Sequence, residues 1–321
     1  MNETGGSVQG AIGSVLGEGG AVARRLPGYE LRKQQVAMAE AVADAFAQRR
    51  HLLVEAGTGV GKSFAYLVPA MQHILTRGGR VVVSTNTIAL QEQLIGKDIP
   101  FLLRLFDEPI SVVLVKGRAN YLGLRRLART SERQGSLFSA KGQLAQLHRI
   151  EDWAYHTRDG TLSDLPRQPD PAVWDRVRSD ADDCLGRKCP HFERCFYQRA
   201  RRRAASAQLL IVNHALLFSD LAVKERGGSI LPSYDYLILD EAHTVERVAA
   251  DHFGFSLSSA QVRFLLNRLY NERTKRGVLV RWKGEAAFPT VSETRRTADS
   301  FFAALPDRLN VEPGRSRRLR E

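Results

Sequence analysis

Two groups of residues, far apart in the sequence, carry side chains suited to chemistry on a phosphorylated molecule. The first is the glycine-rich segment Ala56-Gly57-Thr58-Gly59-Val60-Gly61-Lys62-Ser63. Its glycines allow successive backbone N–H groups to converge on phosphates. Lys62 can reach the β- and γ-phosphates, and the Ser63 hydroxyl can bind Mg²⁺. The segment therefore predicts a site for ATP with Mg²⁺, although the usual pattern begins with glycine and this one begins with Ala56.

The second group is Asp240-Glu241-Ala242-His243, which directly follows the apolar run Tyr236–Leu239. At the end of a buried strand, Asp240 can hold Mg²⁺ through the water shell of the ion. Glu241 can orient and deprotonate an attacking water molecule. We expect Lys62, Asp240, Glu241 and His243 to form the catalytic set, with His243 coupling the nucleotide site to a nucleic-acid site.

Alternating strands and helices are predicted to position these groups. Helical patterns cover residues 35–48, 62–75 and 88–95, and another covers 259–272. The apolar runs that predict strands are 52–54, 81–84, 112–115, 209–212 and 236–239. Strands that alternate with helices predict an α/β fold with a doubly wound parallel sheet, which binds ligands at the carboxyl ends of its strands.

The composition limits the class of protein. The 321 residues carry a net charge of +12, which suits a polyanionic partner but is also compatible with an ordinary basic surface. Three cysteines are too few for a secreted disulfide framework and favour a reducing cytoplasm. No apolar run approaches the roughly 20 residues that span a membrane, so we expect no membrane association.

Apolar periodicity weakens between residues 117 and 205, where arginines accumulate and all three cysteines occur. We expect residues 26–116 and 206–250 to form the nucleotide-binding domain and residues 117–205 to form an inserted subdomain. Residues 1–25, rich in glycine, predict a flexible leader. Residues 251–321 predict the start of a second helical insertion, apparently truncated.

Four further segments carry a family resemblance when taken in order along the chain. They are Arg32–Met38, Ser84–Thr87 with Gln91–Leu94, Lys116–Leu122 and Ile211–Leu217. Together with the two groups above, they resemble the XPD/DinG family of iron–sulfur superfamily-2 DNA helicases, and most closely its bacterial DinG-like branch. The resemblance implies that Gln35 reads the adenine and that Ser84–Thr87 contacts the backbone of single-stranded DNA.

The resemblance also implies an architecture and an activity. The architecture is a RecA-like motor domain with a cluster insertion and an arch-like insertion. The activity is ATP-dependent 5′-to-3′ translocation on single-stranded or forked DNA, typical of DNA repair. An arginine from a second motor domain normally completes the site, and these 321 residues offer no convincing segment for it, so we expect weak hydrolysis unless another chain supplies it. A non-motor, ATP-gated DNA-binding or regulatory fragment and another superfamily-2 nucleic-acid ATPase remain alternatives.

The cysteines leave three interpretations open. Cys184, Cys189 and Cys195 are spaced as thiolate ligands of an iron–sulfur cluster, which normally takes four cysteines. In the family the first ligand follows the Asn-Tyr-Leu entry, and Gly123 stands there. A cluster can persist on three cysteines, zinc can use them with His191, or the thiols can be free. We expect the cluster.

Overall fold

The computed structural model describes residues 11–137, 141–253 and 257–310. The chain divides into two compact units, Met1–Phe253 and Gly254–Glu321. The first ten residues of the predicted leader and the last eleven residues of the chain lie outside the described ranges. Within the described ranges, no helix is both long and apolar enough to span a bilayer.

In its described part, the first unit contains four strands among helices. The strands are β1 (Val81–Thr85), β2 (Val112–Leu114), β3 (Leu209–Asn213) and β4 (Tyr236–Leu239). The helices are α1 (Ala21–Arg25), α2 (Lys33–Gln48), α3 (Lys62–Arg77), α4 (Ile88–Gln93), α5 (Ile99–Leu103), α6 (Leu124–Glu132), α7 (Gln134–Leu137), α8 (Lys141–His156), α9 (Pro171–Val177), α10 (Phe196–Ser206), α11 (His214–Lys224) and α12 (Val245–Phe253). Residues 11–16 are also helical, and a π-helical turn, Leu94–Asp98, joins α4 to α5.

The four strands form one parallel sheet in the order β2-β3-β1-β4. Successive side chains of a strand point to opposite faces, and both faces of the inner strands β1 and β3 are buried. Val81 and Val83 join a core with α2 and α3, whereas Val82 joins a second core with α10 and α11. The predicted α/β sheet, with helices on both faces, is therefore confirmed.

The predicted strand at 52–54 is wrong for this structure. Residues 51–57 have no regular secondary structure, and Leu53 is 93% exposed. A strand requires a neighbouring strand to pair its backbone N–H and C=O groups. In the described part of the chain, β4 pairs with β1 alone, so the sheet ends at β4 and the segment has no ladder to join.

Residues between the end of β2 and the start of β3 form a separate hydrophobic core. Leu122, Leu147, Ile150 and Trp174 are among its buried members. Tyr121, Phe196 and Tyr197 are also buried in it. These three aromatic side chains, which could in principle stack on bases, therefore pack in a protein core.

The expectation of a flexible leader fails for residues 11–25. The 11–16 helix and α1 cover much of this segment, and Ile12, Leu16 and Val22 are completely buried in the same core as α2 and α3. The apolar side chains were too widely spaced among glycines to predict a packed helix.

The second unit is helical in its described part. Its helices are α13 (Ser259–Leu269), α14 (Val278–Arg281) and α15 (Phe288–Arg308). Ser258 and Gln261 form a capping box at the start of α13. Leu266, Tyr270 and Val291 form a small core, so the predicted helix at 259–272 is confirmed with an end three residues earlier.

Candidate active site

The glycine-rich segment forms a tight turn that leads directly into α3. Gly59 and Gly61 have φ angles of +81° and +85°, values that favour glycine. Gly61 caps α3, and Lys62 is its first residue. The first N–H groups of a helix lack partners within it, and its dipole favours anions there. The loop and the start of α3 therefore present the features of a phosphate site.

The fold brings this segment to the acidic pair. Lys62 Nζ lies 3.4 Å from Glu241 Oε1, although 179 positions separate the two residues. The Tyr66 hydroxyl, one turn further along α3, donates to Asp240 Oδ2 at 3.1 Å. Asp240 directly follows β4, so the expected convergence at the carboxyl edge of the sheet is present.

Burial raises the pKa of the Asp240 carboxyl group, and the adjacent Glu241 carboxylate acts in the same direction, while the hydrogen bond from Tyr66 opposes both. Burial and Asp240 together raise the pKa of Tyr66 well above its ordinary value. Burial also raises the pKa of Asp98, which hydrogen bonds from Gln93 and Ser63 oppose. Ionisation of Asp98 and Asp240, the two carboxyl groups at this place, is therefore unfavourable.

The oxygen donors at this place suit a hard cation. Ser63 offers a hydroxyl and Asp240 a carboxylate, and Mg²⁺ is typically bound by one or two protein oxygens with substrate phosphates and water. A divalent cation would also offset the unfavourable burial of Asp240. The residues present therefore fit Mg²⁺.

Glu241 has an unusual backbone conformation. Its φ angle is +54°, in the left-handed region that L-residues rarely adopt. Its N–H donates to Asp240 Oδ1 at 3.0 Å. His243 Nδ1 lies 3.4 Å from Glu241 Oε2, and the His243 side chain is 74% exposed. The structure therefore places His243 at the rim of the site, beside Glu241.

Gln35 is buried against the glycine-rich loop. Its Nε2 donates to Gly61 O at 2.9 Å, and its Oε1 accepts from the Tyr29 hydroxyl at 3.1 Å. Arg32 also donates to Gly59 O. Both ends of the Gln35 amide thus contact protein atoms, so adenine recognition by Gln35 stays a prediction.

Two features of the site were not predicted from the sequence. The first is Tyr66, which lies four residues after Lys62 and hence on the same face of α3. The second is the bonding of His214, which was noted only as part of a segment. His214 Nδ1 lies 2.7 Å from Ser84 Oγ, and its Nε2 lies 3.0 Å from Asp240 O. Burial lowers the pKa of His214.

The proposed DNA-contacting segments are only partly accessible. Ser84, Thr85 and Gln91 are buried. Thr87 is exposed at the start of α4, where its side chain accepts from Leu90 N at 3.2 Å. Any DNA contact there must therefore involve the exposed part of the 86–93 segment.

The three cysteines and Gly123 line one cavity of about 50 Å³ that is partly open to solvent. All three thiols are free, and a hydrogen bond from Arg118 lowers the pKa of Cys184. Among the residues that the structure describes, no three His, Cys, Asp or Glu side chains are placed to hold a metal ion. A Cβ at Gly123 would lie 3.2 Å from Ser179 Cα and Val177 O, both backbone atoms. The residues present do not fit a four-thiolate cluster, and the iron–sulfur expectation gains no support.

Several arginines of the inserted segment, which could in principle line a phosphate path, contact protein groups instead. Arg126 pairs with Asp180 at 3.2 Å and also with Asp183 at 3.6 Å. The guanidinium of Arg118 stacks 4.1 Å from the centre of the Tyr197 ring. On α10, Arg203 pairs with Asp159 at 2.9 Å, whereas Arg201 is exposed.

The parallel sheet, the glycine-rich loop and the acidic pair together define a RecA-like α/β helicase domain. The family model described as DEAD/DEAH box helicase matches residues 32–121. Over longer stretches the chain is similar to bacterial DNA helicases, and it belongs to the DinG-like family of these proteins.

Three relatives illustrate the similarity. The chain is 37% identical over 253 residues to the ATP-dependent DNA helicase YoaA of Haemophilus influenzae, covering 78% of this chain and 39% of that protein. It is 35% identical over 306 residues to YoaA of Escherichia coli K12, covering 94% and 45%. It is 38% identical over 265 residues to the ATP-dependent helicase DinG of Mycobacterium tuberculosis, covering 78% and 40%. The chain thus spans about two fifths of the length of these relatives.

Proposed function

We propose that this chain is the nucleotide-binding part of an ATP-dependent DNA helicase. The observation that carries the proposal is the 3.4 Å contact between Lys62 Nζ and Glu241 Oε1, which joins the glycine-rich loop to the acidic pair. Relatives that are named ATP-dependent DNA helicases support DNA as the track. The net charge of +12 is compatible with such a polyanionic partner.

Each site residue has a role in this proposal. The backbone of residues 56–61 and the Lys62 ammonium bind the phosphates of ATP, and Ser63 and Asp240 hold Mg²⁺. When bound, Mg²⁺ neutralises charge on the β- and γ-phosphates. Lys62 exchanges its contact with Glu241 for one with the phosphates. Glu241 is then free to orient the attacking water and accept its proton.

The finer parts of the proposal concern the whole helicase. By family resemblance, we propose 5′-to-3′ translocation on single-stranded or forked DNA, with an arginine supplied by a second motor domain. Because that arginine stabilises the transition state of phosphoryl transfer, we expect weak hydrolysis by this chain alone. Steady-state turnover with and without single-stranded DNA tests this, and robust DNA-stimulated turnover would contradict it.

Nucleotide binding is the decisive test of the site. The affinity of a fluorescent ATP analogue for the 321-residue chain is measured with Mg²⁺, for the wild type and for Lys62→Ala. We expect the substitution to weaken binding at least tenfold, because it removes a charge-assisted contact with phosphate. Lys33→Ala, at the exposed start of α2, is the matched control and should bind like the wild type. Equal affinity of Lys62→Ala and the wild type would refute the proposal.

A further inference from the structure

The peptide bond that joins Asp240 to Glu241 is held at both of its polar atoms. Its carbonyl oxygen, Asp240 O, lies 3.0 Å from His214 Nε2. Its N–H, on Glu241, donates to Asp240 Oδ1 at 3.0 Å. A carbonyl oxygen can only accept, so Nε2 is the donor whatever the charge of the ring. The orientation of this peptide sets the positive φ angle of Glu241, which costs conformational energy and requires support from surrounding contacts.

His214 is well placed to provide that support. It directly follows Asn213, the last residue of β3, and begins α11. In the sheet order, β1 lies between β3 and β4, so the ring reaches across β1 to the end of β4. Ser84 of β1 fixes the other ring nitrogen at 2.7 Å. His214 is 1% exposed and Ser84 is 0% exposed, which leaves the ring no alternative partner in water.

Both carboxylates of the acidic pair depend on this peptide. Asp240 uses Oδ1 to accept from the Glu241 N–H and Oδ2 to accept from Tyr66. Glu241 extends from the left-handed backbone to within 3.4 Å of Lys62. A rotation of the peptide would break the contact with Oδ1 and redirect the Glu241 side chain.

We propose that His214 is a positioning residue that holds the Asp240–Glu241 peptide so that both carboxylates face the nucleotide. This inference rests on the proposed function, since it concerns the same site. The chain reaches His214 through β3, directly after α10. His214 therefore also joins the end of the cysteine-containing segment to the acidic pair.

Two substitutions of His214 distinguish a role in positioning the Asp240–Glu241 peptide from a role in packing. His214→Gln places an amide nitrogen near the position of Nε2 and keeps a donor for Asp240 O. His214→Asn places its amide near the position of Nδ1, toward Ser84, and loses the donor to Asp240 O. The affinity of a fluorescent ATP analogue is measured for each full-length variant in Mg²⁺ and in EDTA, and the ratio gives the Mg²⁺-dependent gain.

We expect His214→Asn to lose about five- to tenfold of that gain, the size of one net hydrogen bond, while its affinity in EDTA stays within about twofold of the wild type. His214→Gln should retain most of the gain. Equal gains for the Asn and Gln variants would overturn the proposal. So would an equal loss of affinity in EDTA, because that result indicates a general structural role.

Ser84→Ala provides a second route if His214→Asn does not fold. It removes one small polar atom and frees the ring to reorient, so a partial loss of the Mg²⁺-dependent gain is expected. An unchanged gain would overturn the proposal. If the wild type itself showed no Mg²⁺-dependent binding, the proposed function would fail, whereas a normal wild type with unaffected variants would reject the positioning role alone.

Discussion

The partly buried carboxylate of Asp240 and the fully buried carboxylate of Asp220 are predicted to have opposite effects on stability. The Asp240 carboxylate accepts hydrogen bonds from the Tyr66 hydroxyl and the Glu241 N–H, and burial raises its pKa. Asp220 is 0% exposed and accepts from Ile230 N at 2.7 Å and from Leu231 N at 2.8 Å. It also pairs with Lys224 Nζ at 2.8 Å. The contacts of Asp240 thus compensate poorly for the cost of burying its negative charge, whereas those of Asp220 compensate for it well.

We expect Asp240→Asn to stabilise the nucleotide-free chain by about 1 kcal/mol, because it removes a partly desolvated charge beside Glu241. For a unit of this size that corresponds to an increase in Tm of about 2–4 °C. We expect Asp220→Asn to cost about 2 kcal/mol, because its Oδ1 can still accept both N–H groups but Lys224 loses its counter-charge.

The pH dependence gives an independent check on Asp240. An acid whose folded pKa lies above its unfolded pKa stabilises the folded state while it is protonated, below about pH 3.9. That stabilisation is lost as the pH rises through the folded pKa. The wild type therefore carries the penalty at pH 7, and the advantage of Asp240→Asn should shrink as the pH falls toward about 4.

The assay is thermal unfolding followed by tryptophan fluorescence at pH 7 and at lower pH, without nucleotide and then with Mg²⁺ and ATP. Asp240→Asn should gain stability without ligand but lose most of the ligand-induced increase in Tm. Destabilisation by Asp240→Asn at pH 7, or a change of the same sign for both substitutions, would refute the reasoning.

Two other predictions concern the glycine-rich loop and the cysteines. Gly61→Ala should abolish detectable binding of the ATP analogue, because φ is +85° and the new Cβ would lie 2.1 Å from Gln35 Nε2. Gly135→Ala, in α7 and outside the loop, would place its Cβ where nothing lies within 4 Å, so it is the control, and equal binding by both variants would contradict the prediction. The cysteine cavity is tested by iron and zinc analysis of anaerobically purified protein. We expect less than one metal ion per chain, since the three thiols and Gly123 do not form a complete ligand set. One or more iron atoms per chain would show that the cavity rearranges around a cluster.

Most of the sheet could be predicted from apolar runs, because an inner parallel strand is buried on both faces and contains few polar residues. Val81–Thr85 and Leu209–Asn213 illustrate this rule, since both are inner strands. The run at 52–54 has the same apolar character but no pairing partner among the described residues. Local sequence reports the tendency of a segment to form a strand, whereas the ladder depends on residues elsewhere.

The meeting of the glycine-rich loop with the acidic pair was also predictable, because the chemistry of phosphate binding requires glycine, lysine and a carboxylate pair at fixed spacing. The supporting residues were not. His214 acts through a carbonyl oxygen of Asp240, 26 positions away, and a backbone acceptor leaves no pattern in the sequence. Gln35 illustrates the converse, since its position was predicted but its amide contacts Gly61 and Tyr29.

The long segment between β2 and β3 leaves the sheet and returns to it through adjacent, paired strands. Val115 N, just after β2, donates to Ile211 O of β3 at 2.9 Å, and Gln208 N donates to Ser111 O at 3.0 Å. The β2–β3 ladder therefore closes the excursion at its base, and closure entropy grows only slowly with the length of the enclosed segment. The acidic pair follows β4, and β1 separates β4 from the β2–β3 ladder. A change in the enclosed segment can consequently reach the nucleotide site through the end of β3, where His214 contacts both Ser84 and Asp240.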